Sequence, residues 1–159
     1  MYYQGKFKPK NPQKYQGDVD DICYRSSWEL ATFMWLDSTP GVVKWASETL
    51  VVPYILDKQI INETIGPDFK PDGKFHRYYI DLQITFANGS KYLVEIKPHA
   101  QTMPPKQRQR KTRKYMIELL TYVQNQSKWK AAREWAEENG WKFQVWTEKE
   151  LKALGVRIL

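Results

Sequence analysis

The sequence predicts an α/β domain with a central mixed sheet of about four strands flanked by helices, in the order α-β-β-β-α-α-β-α. Three features carry that expectation. Apolar and polar residues alternate on both sides of Asn88-Gly89, the period of two expected of a hairpin. Apolar residues recur at helical spacing behind S/T-x-x-E boxes at Ser26 and Thr147, and again between residues 106 and 139. The 159 residues are 42% hydrophobic and include 7 Trp, 10 Tyr and 6 Phe, too much large apolar surface to stay unfolded and enough chain for one core.

Along the chain, residues 1–22 read as an extended basic and aromatic arm. Lys6, Lys8, Lys10 and Lys14 mingle with Tyr2, Tyr3, Phe7 and Tyr15, and Gly5, Pro9, Pro12 and Gly17 interrupt any regular period. Such an arm can rest on the domain, on a partner protein or on DNA. The domain itself is read as residues 23–159. Its first helix starts at the capping box Ser26 to Glu29, continues through Leu30, Phe33 and Met34, and is stopped by residues 37–41. Residues 48–55 have strand character, with Pro53 indicating an edge or a bend. The stretch 56–74, holding Gly66, Pro67, Pro71 and Gly73, reads as a long connection.

The hairpin register can be derived. Opposed residues of an antiparallel pair project to one face, so a slip of one residue inverts a whole strand. A two-residue Asn88-Gly89 loop mixes polar and apolar residues on both faces. A three-residue loop, Ala87 to Gly89, instead opposes Ile80 to Ile96, Leu82 to Val94 and Ile84 to Tyr92. That register also sets Asp81 opposite Glu95 on the polar face, with Lys97 two residues further along. Beyond Pro104-Pro105, helices are expected over 106–124 and 127–139, the second closed by Gly140. A fourth strand is expected over 141–146, followed by a short helix from Thr147 to Gly155.

The net charge of +7 resides in one segment. Between residues 97 and 114 lie Lys97, Lys106, Arg108, Arg110, Lys111, Arg113 and Lys114 without a single acid, and the other 18 basic and 18 acidic residues cancel. A run of this kind is either a solvated helix face or a surface that meets a polyanion, of which nucleic acid is the commonest. The lone Cys23 excludes an internal disulfide framework and a cysteine-based zinc cluster, in keeping with a reducing compartment. Neither an export leader nor a membrane span is recognisable, so no membrane partner is expected.

Asp81 and Glu95 side by side would repel each other unless a cation lay between them. Oxygen-only ligands suit a magnesium ion (Mg2+), with Mn2+ as the alternative, and no small-molecule cofactor is indicated. Lys97 could then orient or deprotonate a water, or neutralise charge developing on a phosphoryl group. The competing reading of these residues is an ordinary exposed cross-strand ion pair, worth only about 0–1 kcal/mol. Glu29 is a candidate third acid, although its place in the capping box equally allows it to bond only its own helix terminus.

These residues resemble the PD-(D/E)XK nuclease superfamily, through Tyr78-Tyr79-Ile80-Asp81 and Val94-Glu95-Ile96-Lys97 behind Arg25-Ser26-Ser27-Trp28-Glu29. Ile80 stands where a proline often precedes the aspartate. The Ser-x-x-Glu helix with the E-x-K hairpin is similar to TnsA-type transposon endonucleases. Gly5-Lys6-Phe7-Lys8-Pro9, Lys14-Tyr15-Gln16-Gly17-Asp18, Trp45-Ala46-Ser47-Glu48 and Pro53-Tyr54 resemble head-completion nucleases of T-even-like tailed phages. The resemblance implies a restriction-endonuclease-like core, with Glu29, Asp81 and Glu95 as metal ligands and Lys97 as the catalytic lysine. Glu48 would be an auxiliary ligand or a surface acid. Lys106, Arg108, Arg110, Lys111, Arg113 and Lys114 would hold DNA. It further implies a magnesium-dependent DNA endonuclease that acts on packaged DNA in head completion and head–tail joining. Such a protein would meet portal, neck or head-vertex proteins, in the host cytoplasm during assembly or retained at the head–neck region of the virion. The alternatives are a structural neck or head-closure protein with a vestigial nuclease fold, and a transposon-type or junction-resolving endonuclease.

Overall fold

In the computed structural model, which describes residues 4–158, the chain runs β1 (Gly5–Lys6), β2 (Cys23–Tyr24), α1 (Ser27–Ser38), β3 (Val42–Ser47), β4 (Val51–Tyr54), α2 (Lys58–Thr64) and β5 (His76–Tyr79). It continues β6 (Leu82–Phe86), β7 (Lys91–Ile96), α3 (Arg113–Asn139), β8 (Lys142–Trp146) and α4 (Glu148–Leu154). The main sheet has the order β3-β6-β7-β8, antiparallel except for the parallel β7–β8 pair, while β1–β2 and β4–β5 form separate two-stranded ribbons. This is the expected mixed four-stranded sheet flanked by helices.

The central hairpin β6–β7 adopts the register derived from its hydrophobic pattern, with Leu82 opposite Val94 and Ile84 opposite Tyr92. Its loop is the three-residue one: the Phe86 N–H donates to the Ser90 carbonyl at 2.9 Å, and Gly89 takes a φ of +89°, open to glycine without strain. The ladder ends at Leu82, however. The expected Ile80–Ile96 pair does not form, because the Ile80 N–H donates to the Leu50 carbonyl at 3.0 Å in the β4–β5 ribbon. The chain therefore crosses from one sheet to the other at Ile80-Asp81.

Several boundaries differ from expectation, each for a local reason. The strand read over 48–55 begins only at Val51, since Glu48 has a φ of +54° and turns the chain out of the preceding strand β3. β3 itself hides its period because a bulge at Val43 leaves Val43 and Lys44 both exposed. Within the supposed connection 56–74, Asp57 caps α2 by accepting the Ile60 N–H at 3.0 Å. The helices expected over 106–124 and 127–139 are one 27-residue helix, α3, since neither Gly nor Pro interrupts residues 113–139. Thr112 caps it, so Lys106, Arg108, Arg110 and Lys111 precede the helix instead of lying on it.

Buried residues gather on the two faces of the main sheet. Val94 and Ile96 pack with Phe33, Leu36, Trp146 and Leu151 from α1, β8 and α4. Leu93, one position out of phase on the same strand, packs with Trp129, Ala132 and Ala136 of α3 and with Tyr78 and Ile80. Of the segment 1–22, residues 1–3 lie outside the described residues. The remainder lies along the domain, with Tyr15 and Ile22 buried and the Lys14 ammonium donating to the carbonyls of Leu36, Asp37 and Thr39 at 2.6, 3.0 and 2.9 Å. A cation on these orphan carbonyls closes the end of α1. Among the described residues no helix is long and apolar enough to cross a membrane.

Candidate active site

Asp81 occupies the crossing between the two sheets, and its position is set by backbone bonds from both sides. The Glu48 N–H lies 3.1 Å from the Ile80 carbonyl and 3.2 Å from that of Asp81, while the Ile96 N–H donates to the Asp81 carboxylate at 2.9 Å. The carboxylate thus takes the place that the missing ladder partner would have held. Glu95, one residue before Ile96 on β7, is on the opposite side of the strand. Sequence placed this side of the hairpin on an open polar face; the structure corrects that, for Leu93 packs beneath α3 and Glu95, on the same side of the strand, is buried as well. The Tyr78 hydroxyl donates to the Glu95 carboxylate at 2.5 Å, and the Lys97 ammonium stands 3.7 Å from the other Glu95 oxygen. Lys97 is held just past the strand by its N–H, which donates to the Trp146 carbonyl at 3.1 Å.

Glu29 takes part in the cap of its own helix and also lies in the field of the other acids. The Ser26 hydroxyl accepts the Glu29 N–H at 3.1 Å, as a cap should. The reciprocal bond is displaced by one residue: the Glu29 carboxylate accepts from the Arg25 N–H at 2.5 Å. Despite this bond the Glu29 carboxyl is pushed above the usual carboxylate range, first by burial and further by the charges of Glu48 and Glu95. Asp81 is raised well above that range. Burial is the largest cause, followed by the charge of Glu95, and Glu29 adds to it; the Ile96 N–H and Lys97 act in the opposite direction. Burial, and then the charge of Glu95, likewise raise the Tyr78 phenol, which remains a protonated donor. Glu48 lies beside this cluster with its charge met by an ion pair to Arg25.

Glu29, Asp81 and Glu95 therefore share one field, with Lys97 next to them. Among the described residues no three His, Cys, Asp or Glu side chains are already closed around a common point. The donor chemistry nevertheless fits a hard divalent ion: oxygen ligands only, mutual repulsion that a cation would relieve, and a spare oxygen on Asp81 and on Glu29 beyond those used in backbone bonds. Magnesium commonly takes one or two protein carboxylates and completes its shell with water and phosphate oxygens, so a pair suffices.

The basic run is exposed throughout, with Lys106, Arg108, Arg110 and Lys111 in the loop before α3 and Arg113 and Lys114 in its first turn. Cations at a helix N-terminus oppose the helix dipole, and no acid accompanies them in that turn. Helix stability does not explain them.

Sequence reasoning missed two participants. Tyr78 was given no role beyond its place in the segment before Asp81, and only its contact across the sheets reveals the hydroxyl on Glu95. The Arg25–Glu48 pair joins residues 23 positions apart and has no local signature. A signal for Tyr78 does exist, because Tyr78 and Ile80 alternate with Tyr79 and Asp81 on a strand that must enter the core.

Residues 39–148 match the family of TnsA-like endonuclease N-terminal domains, a span that includes Asp81, Glu95 and Lys97 and leaves Glu29 just before it. The chain is also 39% identical over 161 aligned residues to the head completion nuclease of Enterobacteria phage T4, covering 99% of each protein. With a resemblance that runs the length of both chains, and an acid pair and lysine set on the domain that the family match spans, the protein belongs to the phage head completion nucleases, built on a TnsA-like endonuclease domain.

Proposed function

We propose that the protein is a magnesium-dependent DNA endonuclease, with manganese able to substitute, that acts on packaged DNA during head completion and head–tail joining. The observation that carries this reading is the Asp81–Glu95 pair, in which the charge of Glu95 makes that of Asp81 more costly, with the Lys97 ammonium 3.7 Å from Glu95. Asp81, Glu95 and Glu29 would hold the ion, which when bound supplies charge neutralisation at the phosphoryl group and a more acidic water. Tyr78 fixes the rotamer of Glu95, and the Ile96 N–H fixes that of Asp81, so the carboxylates need little reorganisation when DNA arrives. Lys97 orients the attacking water or stabilises the charge that develops on phosphoryl oxygen. The exposed basic run holds the phosphate backbone without reading bases. Portal, neck or head-vertex proteins would be its neighbours, in the host cytoplasm during assembly and at the head–neck region of the virion. The name of the phage T4 relative supports this setting.

Plasmid nicking with magnesium or with a chelator tests the proposal on wild type, Lys97→Ala and Asp81→Asn. Nicking should require the metal. It should fall by about 100-fold or more in Lys97→Ala, a loss in the range of one positioned catalytic group, while DNA binding persists. Full nicking in chelator, or by Lys97→Ala, would overturn the assignment. A second readout is independent of turnover: magnesium should raise the melting temperature of wild type and leave that of Asp81→Asn unmoved.

A further inference from the structure

The β4–β5 ribbon buries one face and leaves the other uncovered. Val52, Tyr54 and Tyr78 point into the core. On the opposite face Val51 is paired with Tyr79 and Pro53 with Arg77, and Ile55 and Phe75 extend these two rows beyond the ladder. Phe75 is 74% exposed, Tyr79 46% and Ile55 45%. Single exposed apolar residues are ordinary, but two exposed aromatic residues four positions apart, with Ile55 beside them, form a patch. Arg77 stands between them with its guanidinium 5.6 Å from the centre of the Tyr79 ring. No acid interrupts the face, and Asp72, just before it, is turned toward His76 at 3.5 Å.

The direction of this face gives it a meaning. Asp81 follows Tyr79 by two residues, a reach of at most about 7 Å, and Phe75 lies up to about 13 Å further back along the chain. We propose that Phe75, Arg77 and Tyr79 form a stacking track for an unpaired DNA strand, which leads a single-stranded tail or flap toward Asp81. This rests on the endonuclease reading above. Aromatic faces grip unpaired bases and a cation between them meets the phosphates, the combination used by single-strand binding surfaces. An intact duplex would present phosphates and grooves to this face and gain nothing from the rings. The basic run before α3, which has no aromatic residue from 106 to 114, suits a duplex instead. The protein therefore carries two kinds of DNA contact, one for paired and one for unpaired strands, and its preferred substrate is a junction between the two.

The test uses a short duplex with a single-stranded tail carrying 2-aminopurine, whose fluorescence is quenched by stacking, and the same duplex with blunt ends. Binding is measured in chelator, so no cleavage intervenes. Wild type should quench the tail and bind the tailed duplex more tightly than the blunt one. Phe75→Ala/Tyr79→Ala should lose most of the quenching and weaken binding of the tailed duplex by about tenfold or more, with less than a twofold change for the blunt duplex. Phe75→Tyr should retain both properties. Because both side chains are in solvent, the variants should melt with wild type. Equal affinity of wild type for the two duplexes, or an equal loss on both in the double variant, would overturn the track while plasmid nicking still supports the endonuclease. Failure of wild type to bind either DNA would overturn both.

Discussion

At the scale of single residues, the site is a balance between repulsion and restraint. Tyr78 makes a short bond to a buried carboxylate, and removing its hydroxyl leaves that charge with one partner fewer. Tyr78→Phe should lower stability by about 1.5–3 kcal/mol, the range for hydrogen bonds to charged groups, as read from urea unfolding. Cleavage should fall through kcat, with KM little changed, since the phenol acts on Glu95 and does not touch DNA. An unchanged urea midpoint would remove Tyr78 from this role. Asp81→Asn has the opposite effect on stability. It keeps an oxygen for the Ile96 N–H and deletes a charge that burial and Glu95 both disfavour. In chelator at neutral pH this variant should melt higher than wild type, and a lower melting temperature would contradict the shared field of Asp81 and Glu95. Glu48 belongs to the same account: it alone among the described non-glycine residues has a positive φ, and its backbone N–H secures the sheet crossing while its carboxylate is occupied by Arg25.

At the scale of elements, α3 forms the roof over Leu93, and its middle is tied to α2. The Ser127 hydroxyl accepts the Asp57 N–H at 3.0 Å, and Lys130 pairs with the Asp57 carboxylate at 2.7 Å. Lys130, acting first, holds the Asp57 carboxyl below its ordinary value, assisted by the Ile60 N–H. A depressed carboxyl contributes stability that is complete above the unfolded value and is lost as pH falls through the folded one. Lys130→Ala should therefore cost about 0–1 kcal/mol at pH 7, as partly exposed pairs do, and nothing once acid has protonated Asp57. Asp57→Ala should cost about 1 kcal/mol more, because it also removes the cap of α2. Urea titrations at neutral and acid pH read both; a Lys130→Ala effect that persists in acid would locate it in packing of the lysine stem. These ties also explain what the hydrophobic pattern concealed. Gln124 to Ser127 looked like a break between two helices, but a buried Ser127 with a tertiary partner stays helical.

At the scale of the whole molecule, the charge imbalance is confined to the face that would meet DNA. If six cations of the run lie on phosphates, affinity should fall steeply with salt. Replacing Arg108 and Arg110 together by glutamine should reduce the slope of log affinity against log salt by about 1.8, at about 0.9 per phosphate, without altering the melting temperature. A slope that stays at the wild-type value would take these two residues out of the interface. The position of the run also argues for this role, since the chain passes directly from Lys97 through it into α3.

Sequence alone determined the central hairpin from Leu82 and Val94 to its three-residue loop, and the final capped helix, because each follows from neighbours in the chain. Hydrophobic alternation settles register, and a capping box settles where a helix begins. Only tertiary structure decided that Glu95 is buried with Tyr78 upon it, that Asp81 marks a change of sheet, and that Glu29 feels both. Those properties arise from desolvation and from charges brought together across the fold. Such terms depend on which surfaces meet, and a pattern of residue types along one strand records only that the strand has two sides.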